Sequence, residues 1–382
     1  MPSERSESVP LDPFFSERLR VHRRYLIGQR VDAFRRRVAG LARFFRRTDT
    51  VPRPGAAKDA VAARGAAPNP SPPSKARARH RRAALAWDRK ELDTVGTPGP
   101  QVHTVEHTVP VPGFPSVRVR IYYPRLTEAA ETAALVPAWL TLFGGAFRIG
   151  GIDYPTTDAA NRRRAIEASV AMVAVDYALA PEHRFPTQIE QAHQALVWLY
   201  ENASALGIDA GRIGVSGVSA GASIAAAVTL ANRDRSRLPI RLQVLEVPVA
   251  DLTGRHIDLR ATRAMGVPSL LAMRELRSVS RTYLPRPADA RNPLASPLLA
   301  ASHDGLPEAA IFTAEYDPLR GDGAAYAARL RAAGVEASAV QYLGVTHDVA
   351  VFTGVLPAAR RWHRDVVAAL ARLHDVPDIL EP

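Results

Sequence analysis

The 382-residue chain has no cysteine, so disulfides and thiolate metal sites are excluded. No run of about 18 uncharged apolar residues occurs, so no segment reads as a membrane-spanning helix. Lysine is nearly missing: Lys58, Lys75 and Lys90 all lie in the first hundred residues, and arginine supplies the positive charge elsewhere. No G-x-G-x-x-G phosphate loop, no nucleic-acid motif and no metal-ligand spacing is found, so neither a cofactor nor a metal is expected. The chain as a whole is 47% hydrophobic, enough for one large α/β domain with an appendage, or for two domains.

The net charge of +12 is uneven. Residues 1–100 hold 22 Lys+Arg against 10 Asp+Glu, and the remainder is balanced at 28 of each. Within the basic segment, Ile27, Val31, Phe34, Val38, Leu41 and Phe45 recur at steps of four and three, the stripe of an amphipathic helix over about 11–47. Such a helix packs on its own domain or lies on an anionic membrane, and packing is the expectation. His22-Arg23-Arg24-Tyr25-Leu26-Ile27 resembles a twin-arginine export signal, but Gly28-Gln29-Arg30-Val31-Asp32 stands where an apolar stretch belongs. Export is therefore not expected, and a cytoplasmic location is. A Pro/Ala/Gly/Ser-rich linker covers about 48–75, and Lys75 to Glu91 reads as a basic helix with a solvated face.

Beyond residue 100, strand patterns alternate with helical ones. Strands are expected from near His103, at Val117–Tyr123, Ala138–Phe143, Val170–Val175, Ile213–Ser216, Leu242–Val247, Ala310–Ala314 and Ala337–Leu343. Helices are expected at Thr187–Ala205 and Pro357–Leu373. Alternation of this kind argues a parallel sheet with helices on both faces.

The chemistry centres on Gly217-Val218-Ser219-Ala220-Gly221, which an apolar strand enters and a helix of small residues leaves. This fits the G-x-S-x-G elbow, where the serine sits on a strained strand-to-helix corner. Ser216 is the weaker choice, because its pentapeptide lacks the closing glycine. A serine hydroxyl needs a base, and the base needs a third group to orient it. Of the later histidines, His347 directly follows the last strand, whereas His363 and His374 read as surface residues of the last helix. Asp317 follows its own strand and is the expected acid, with Asp251 the runner-up. Glu315 and Asp322 read as capping or solvated residues, and Asp348 is too near His347 in sequence to reach its far nitrogen. Backbone N–H groups must meet the negative charge that develops on a carbonyl oxygen, and Gly144, Gly145 and Ala220 are the expected oxyanion donors. Phe147, Tyr177 and the Met265–Met273 stretch are expected to line the substrate pocket.

Taken together, Phe143–Phe147, Asp176-Tyr177-Ala178-Leu179-Ala180-Pro181-Glu182-His183, Gly217–Gly221, Ala295-Ser296-Pro297-Leu298, Asp317-Pro318-Leu319-Arg320 and His347 resemble the hormone-sensitive-lipase family of α/β-hydrolases, over about residues 100–375. The resemblance implies an α/β-hydrolase fold, a mostly parallel eight-stranded sheet with helices on both faces and a helical cap. The cap would draw on residues 1–99 and on an insertion at about 252–290. It implies a carboxylesterase acting on short-to-medium acyl chains with catalytic Ser219, Asp317 and His347, with a small-molecule ester as partner and no cofactor. A non-catalytic small-molecule receptor of the same fold, or an amidase, lactonase or deacetylase, are the alternatives. Phe143 and Ala146 stand where the family has histidine and a third glycine, and Val218 where an acidic or hydroxyl residue is usual.

Overall fold

The computed structural model describes residues 9–20, 74–125 and 134–375. The stripe from Ile27 to Phe45 and most of the Pro/Ala-rich linker lie outside the described residues. The chain divides into two units, Asp12–Ser71, of which residues 13–20 form a helix, and Met1–Leu11 with Pro72–Pro382. The larger unit is described below.

Its sheet has eight strands: β1 (Thr104–Val111), β2 (Phe114–Tyr122), β3 (Val136–Leu142), β4 (Ala171–Asp176), β5 (Ile208–Val218), β6 (Ile240–Glu246), β7 (Glu308–Tyr316) and β8 (Ala337–Thr346). They are ordered β1-β2-β4-β3-β5-β6-β7-β8. Only β2 runs against its neighbours; every pair from β4 to β8 is parallel. The central strands are apolar along their whole length because helices cover both faces, so both side-chain rows are buried.

The covering helices are α1 (Lys75–Thr94), α2 (Pro155–Ala168), α3 (Thr187–Asn202), α4 (Ala220–Asp234), α5 (Leu259–Ala264), α6 (Ser269–Tyr283), α7 (Arg320–Ala332) and α8 (Pro357–Ala371). Helix α4 is buried from Ala220 to Asn232, which its run of alanines permits. Helices α5 and α6 are inserted between β6 and β7. No helix of the described residues is long and apolar enough to cross a membrane.

Strands β5 and β7 extend furthest beyond their sequence pattern. Strand β5 begins at Ile208, because Asp209 accepts from Gly211 N (2.8 Å) and Arg212 Nε (2.6 Å) and ties a turn-like stretch into an irregular strand start. Strand β7 extends through Glu315, expected to be a capping or solvated residue but buried within the strand: its two oxygens accept from Val9 N (3.1 Å) and Gly344 N (2.8 Å). The basic helix α1 also departs from expectation. Arg81 donates to Arg148 O (3.0 Å), Ala180 O (3.0 Å) and Glu182 (2.7 Å), and Arg77 pairs with the same glutamate (2.7 Å). These arginines fix α1 to the loops at the carboxyl end of the sheet.

Candidate active site

Strand β5 delivers Ser219 to the sheet's carboxyl edge in a backbone conformation that side chains rarely adopt, φ 53° and ψ −116°. Such a conformation costs on the order of 1–3 kcal/mol and persists only where its surroundings fix it. Here the glycines make it feasible. A Cβ on Gly217 would lie 2.3 Å from Gly221 O, and one on Gly221 2.1 Å from Leu142 O. Ser219 N is held by Glu246 O at 2.8 Å. Ser216, by contrast, is buried within β5 and out of reach of a substrate.

Ser219 Oγ lies 2.9 Å from His347 Nε2, and His347 Nδ1 lies 2.7 Å from Asp317 Oδ2. Asp317 is buried (1% of its surface exposed), and its other oxygen accepts from Leu319 N at 2.9 Å. With an ionised Asp317 taking the Nδ1 proton, Nε2 is left as the acceptor for the serine O–H. Burial alone would lower the His347 pKa, but the charge and hydrogen bond of Asp317, aided by Asp348, outweigh it and hold it above the ordinary histidine value. Asp348 itself accepts from Thr346 Oγ1 and stays off the imidazole. The runner-up acid, Asp251, is engaged elsewhere: it faces His256 Nδ1 at 3.1 Å.

The loop after β3 brings Gly144 against the elbow; a Cβ there would sit 3.5 Å from the Ser219 Cβ. The N–H groups of Gly144 and Gly145 have no acceptor among the described residues, and Ala220 N opens α4 directly after the serine. Gly145, Ala146 and Phe147 all have positive φ (137°, 53° and 61°), which turns this loop back on itself. Phe143, in place of histidine, stacks on Tyr177 with ring centres 4.0 Å apart, and Tyr177 donates to Phe143 O at 2.7 Å. Phe147 stacks on Tyr283 of α6 at 3.8 Å. The expectation that Phe147 and Tyr177 line the pocket is thereby corrected. Both are buried, and their rings are spent on bracing the glycine loop from below.

A cavity of about 470 Å³ is lined by residues adjoining the triad, though Ser219 and His347 are not among them. It borders the site through Gly144, Gly145, Val218 and Asp348, and its walls include Trp87 and Leu92 of α1 and Ala350 and Trp362. The Met265–Met273 stretch is not part of this wall. Three polar residues differ from their sequence-based expectation. His363 is buried, not superficial; its Nε2 lies 2.9 Å from Glu167, and burial with Arg164 and Arg163 nearby pushes its pKa down to about 3. Glu246, which read only as part of a strand, accepts from Trp362 Nε1 (2.6 Å) and pairs with the buried Arg164 (2.7 Å). A lone glutamate inside an apolar strand was the signal available for it. Asp322, expected to be a capping or solvated residue, lies in the first turn of α7, is fully buried and accepts from Ala250 N (2.9 Å) and Asp251 N (3.0 Å). Burial and the nearby charge of Asp251 raise its pKa to about 7 despite those hydrogen bonds.

An eight-stranded sheet with β2 reversed, and a strained serine at the corner between β5 and α4, define an α/β-hydrolase. The alpha/beta hydrolase fold family matches residues 139–351, and the chain belongs to it, within the hormone-sensitive-lipase and carboxylesterase type. It is 36% identical over 278 residues to esterase LipI of Mycobacterium tuberculosis, covering 72% of this chain and 84% of that one. It is 37% identical over 267 residues to an ethyl acetate hydrolase of Pseudomonas putida, covering 69% and 78%. Among solved structures it resembles EstE1, a thermostable carboxylesterase cloned from a metagenomic library (TM-score 0.69, 35% identity, 80% and 98% covered). It also resembles a hyperthermophilic esterase of Pyrobaculum calidifontis (TM-score 0.73, 28% identity, 96% and 100% covered).

Proposed function

We propose that the chain is a serine carboxylesterase that works through an acyl-enzyme on Ser219. The observation carrying this is the continuous relay from Asp317 through His347 to the serine, at 2.7 and 2.9 Å. Ser219 attacks the ester carbonyl while His347 takes its proton. The oxygen that becomes negative is met by the N–H groups of Gly144, Gly145 and Ala220. His347 then gives its proton to the leaving alcohol, and water repeats the sequence on the acyl-enzyme, releasing the acid and regenerating the serine. Asp317 fixes the imidazole tautomer and stabilises its charged form.

The cavity beside the serine is the proposed acyl pocket; about 470 Å³ falls in the range of small-molecule sites, roughly 300–1,000 Å³. Its walls are largely apolar, which favours short-to-medium acyl chains, and the insertion bearing α5 and α6 is the proposed cap. Turnover of p-nitrophenyl esters of increasing chain length, by wild type and Ser219→Ala, tests the reading. Hydrolysis of the short esters that the substitution abolishes is expected. A wild-type protein that binds such esters without turning them over is a receptor, and the reading is then wrong.

A further inference from the structure

The glycine loop that would receive the oxyanion contains two consecutive non-glycine residues in the left-handed region, Ala146 and Phe147. The loop's own bonds from Arg148 N and Ile149 N to Gly145 O close the turn, and packing from outside adds to them against a conformation that side chains disfavour. Three contacts cross from α6 and its end to this loop and its support. The Phe147 ring lies flat on Tyr283, 3.8 Å apart at 9°. The Arg148 guanidinium reaches Glu275 at 2.5 Å and Ser278 Oγ at 3.3 Å. The far side of the same tyrosine is fixed in turn, because Phe185 packs edge-on against its ring and donates its N–H to Tyr283 O at 3.0 Å.

These contacts differ greatly in weight. Tyr283 and Phe147 are both fully buried, so their stack is sheltered from water. Glu275 is 66% exposed, and an exposed ion pair contributes little. We infer that Tyr283 is a positioning residue for the oxyanion hole: through Phe147 it holds the left-handed turn that aims the Gly144 and Gly145 N–H groups at the reacting carbonyl. Tyr283 is fully buried and acts through Phe147, so its effect falls on the transition state and not on substrate binding. Helix α6 is otherwise exposed: Tyr283 is its one buried residue, and Leu270 and Leu271 are open to solvent. The state of this inserted helix is thereby coupled to the chemistry at the sheet edge.

The inference rests on the Ser219 reading, and the test separates the two. Steady-state kcat and KM on a short p-nitrophenyl ester are measured for Tyr283→Phe, Tyr283→Leu, Phe147→Leu, the Phe147→Leu/Tyr283→Leu pair and Glu275→Ala, with Ser219→Ala alongside. Loss of one oxyanion contact costs roughly 10²–10³-fold, so Tyr283→Leu, which loosens the loop without removing a donor, should lower kcat on the order of 10–100-fold. KM should stay within about threefold, the mark of an interaction made only in the transition state. Tyr283→Phe keeps the ring and should restore kcat, and Glu275→Ala should change it by less than about twofold. The double variant should be no worse than either single one, because the two rings act as a unit. A core variant in α7, Leu330→Ala, serves as the control for general loosening and should leave kcat unchanged. If Tyr283→Leu and Phe147→Leu raise KM alone, or lower kcat no more than Leu330→Ala does, the inference is overturned. Turnover surviving in Ser219→Ala would remove the nucleophile itself, whatever Tyr283 does.

Discussion

Two carboxylate–histidine pairs stand at the carboxyl ends of neighbouring strands. Asp251 follows β6 and faces His256; Asp317 follows β7 and faces His347. Both aspartates are buried, and the two histidine side chains are almost equally exposed, 38% and 37%. Burial and pairing therefore do not separate them. Two other things do. The Asp317 pair is closer, 2.7 Å against 3.1 Å, and only His347 has a hydroxyl on its second nitrogen among the described residues. A base is made by what its free nitrogen can reach, and that is decided by the β5–α4 corner, not by the pair itself.

The sharpest way to break the comparison is to remove the hydroxyl. Ser219→Ala should lower kcat/KM by roughly 10⁴-fold or more, since such residues act as a unit. The fold should survive, because the change leaves no cavity of consequence, and an unshifted thermal melt would show this. Next comes the carboxylate. Asp317→Asn should cost on the order of 10³–10⁴-fold in kcat, whereas Asp251→Asn, at the pair without a serine, should stay within about tenfold. Equal losses at the two positions would erase the distinction drawn between them.

The pH dependence sharpens the same point. His347 must be neutral to accept the serine proton, and its pKa is held above the ordinary value of about 6.5 by Asp317. The kcat/KM profile should therefore rise with pH through a midpoint above about 6.5 and then level off. For stability the sign is opposite. A histidine whose folded pKa is raised contributes stability that is full below its unfolded pKa and is lost as pH rises through the folded one. A flat activity profile between pH 5 and 9 would count against His347.

Smaller effects follow from the cavity and from the carboxyl that neighbours both pairs. Ala350→Trp should shift the preferred acyl chain to shorter lengths, with about a tenfold change in the ratio of two chain lengths, the scale of one methylene in an apolar pocket. Unchanged selectivity would place the acyl group elsewhere. Asp322 has a folded pKa of about 7, so the folded state keeps its proton longer than the unfolded chain does. Its contribution to stability is greatest at low pH and falls as pH climbs from about 4 towards 7. Asp322→Asn escapes that loss and retains an acceptor for Ala250 N and Asp251 N. Its melting temperature should exceed wild type by about 2–4 °C at pH 8, the equivalent of roughly 1 kcal/mol, with a smaller gap at pH 5.

The sheet was readable because its central strands are apolar on both faces, a pattern that Ala138–Phe143 and Val170–Val175 carry plainly. Strand ends were misread where a polar residue is satisfied by a distant partner, as Glu315 is by Val9 and Gly344. That Ser219, His347 and Asp317 come together was legible because each follows a strand and so reaches the same edge of the sheet. Phe147 and Tyr177 were not, since nothing in a sequence says whether an aromatic ring beside a glycine turn faces a ligand or the core. The pairing of Phe147 with Tyr283 spans more than a hundred residues and leaves no local trace. His363 went astray for a related reason: it sits in a helix that reads as amphipathic, but its partner Glu167 comes from α2.

The central claim is that Ser219 alone carries the acyl group. Rapid quenching of wild-type protein during turnover of a p-nitrophenyl ester, followed by peptide mass mapping, reads this directly. The account predicts one acyl adduct, on the peptide containing Ser219, at up to one per chain, and none in Ser219→Ala. An adduct on another residue, or turnover that continues in Ser219→Ala, would contradict it.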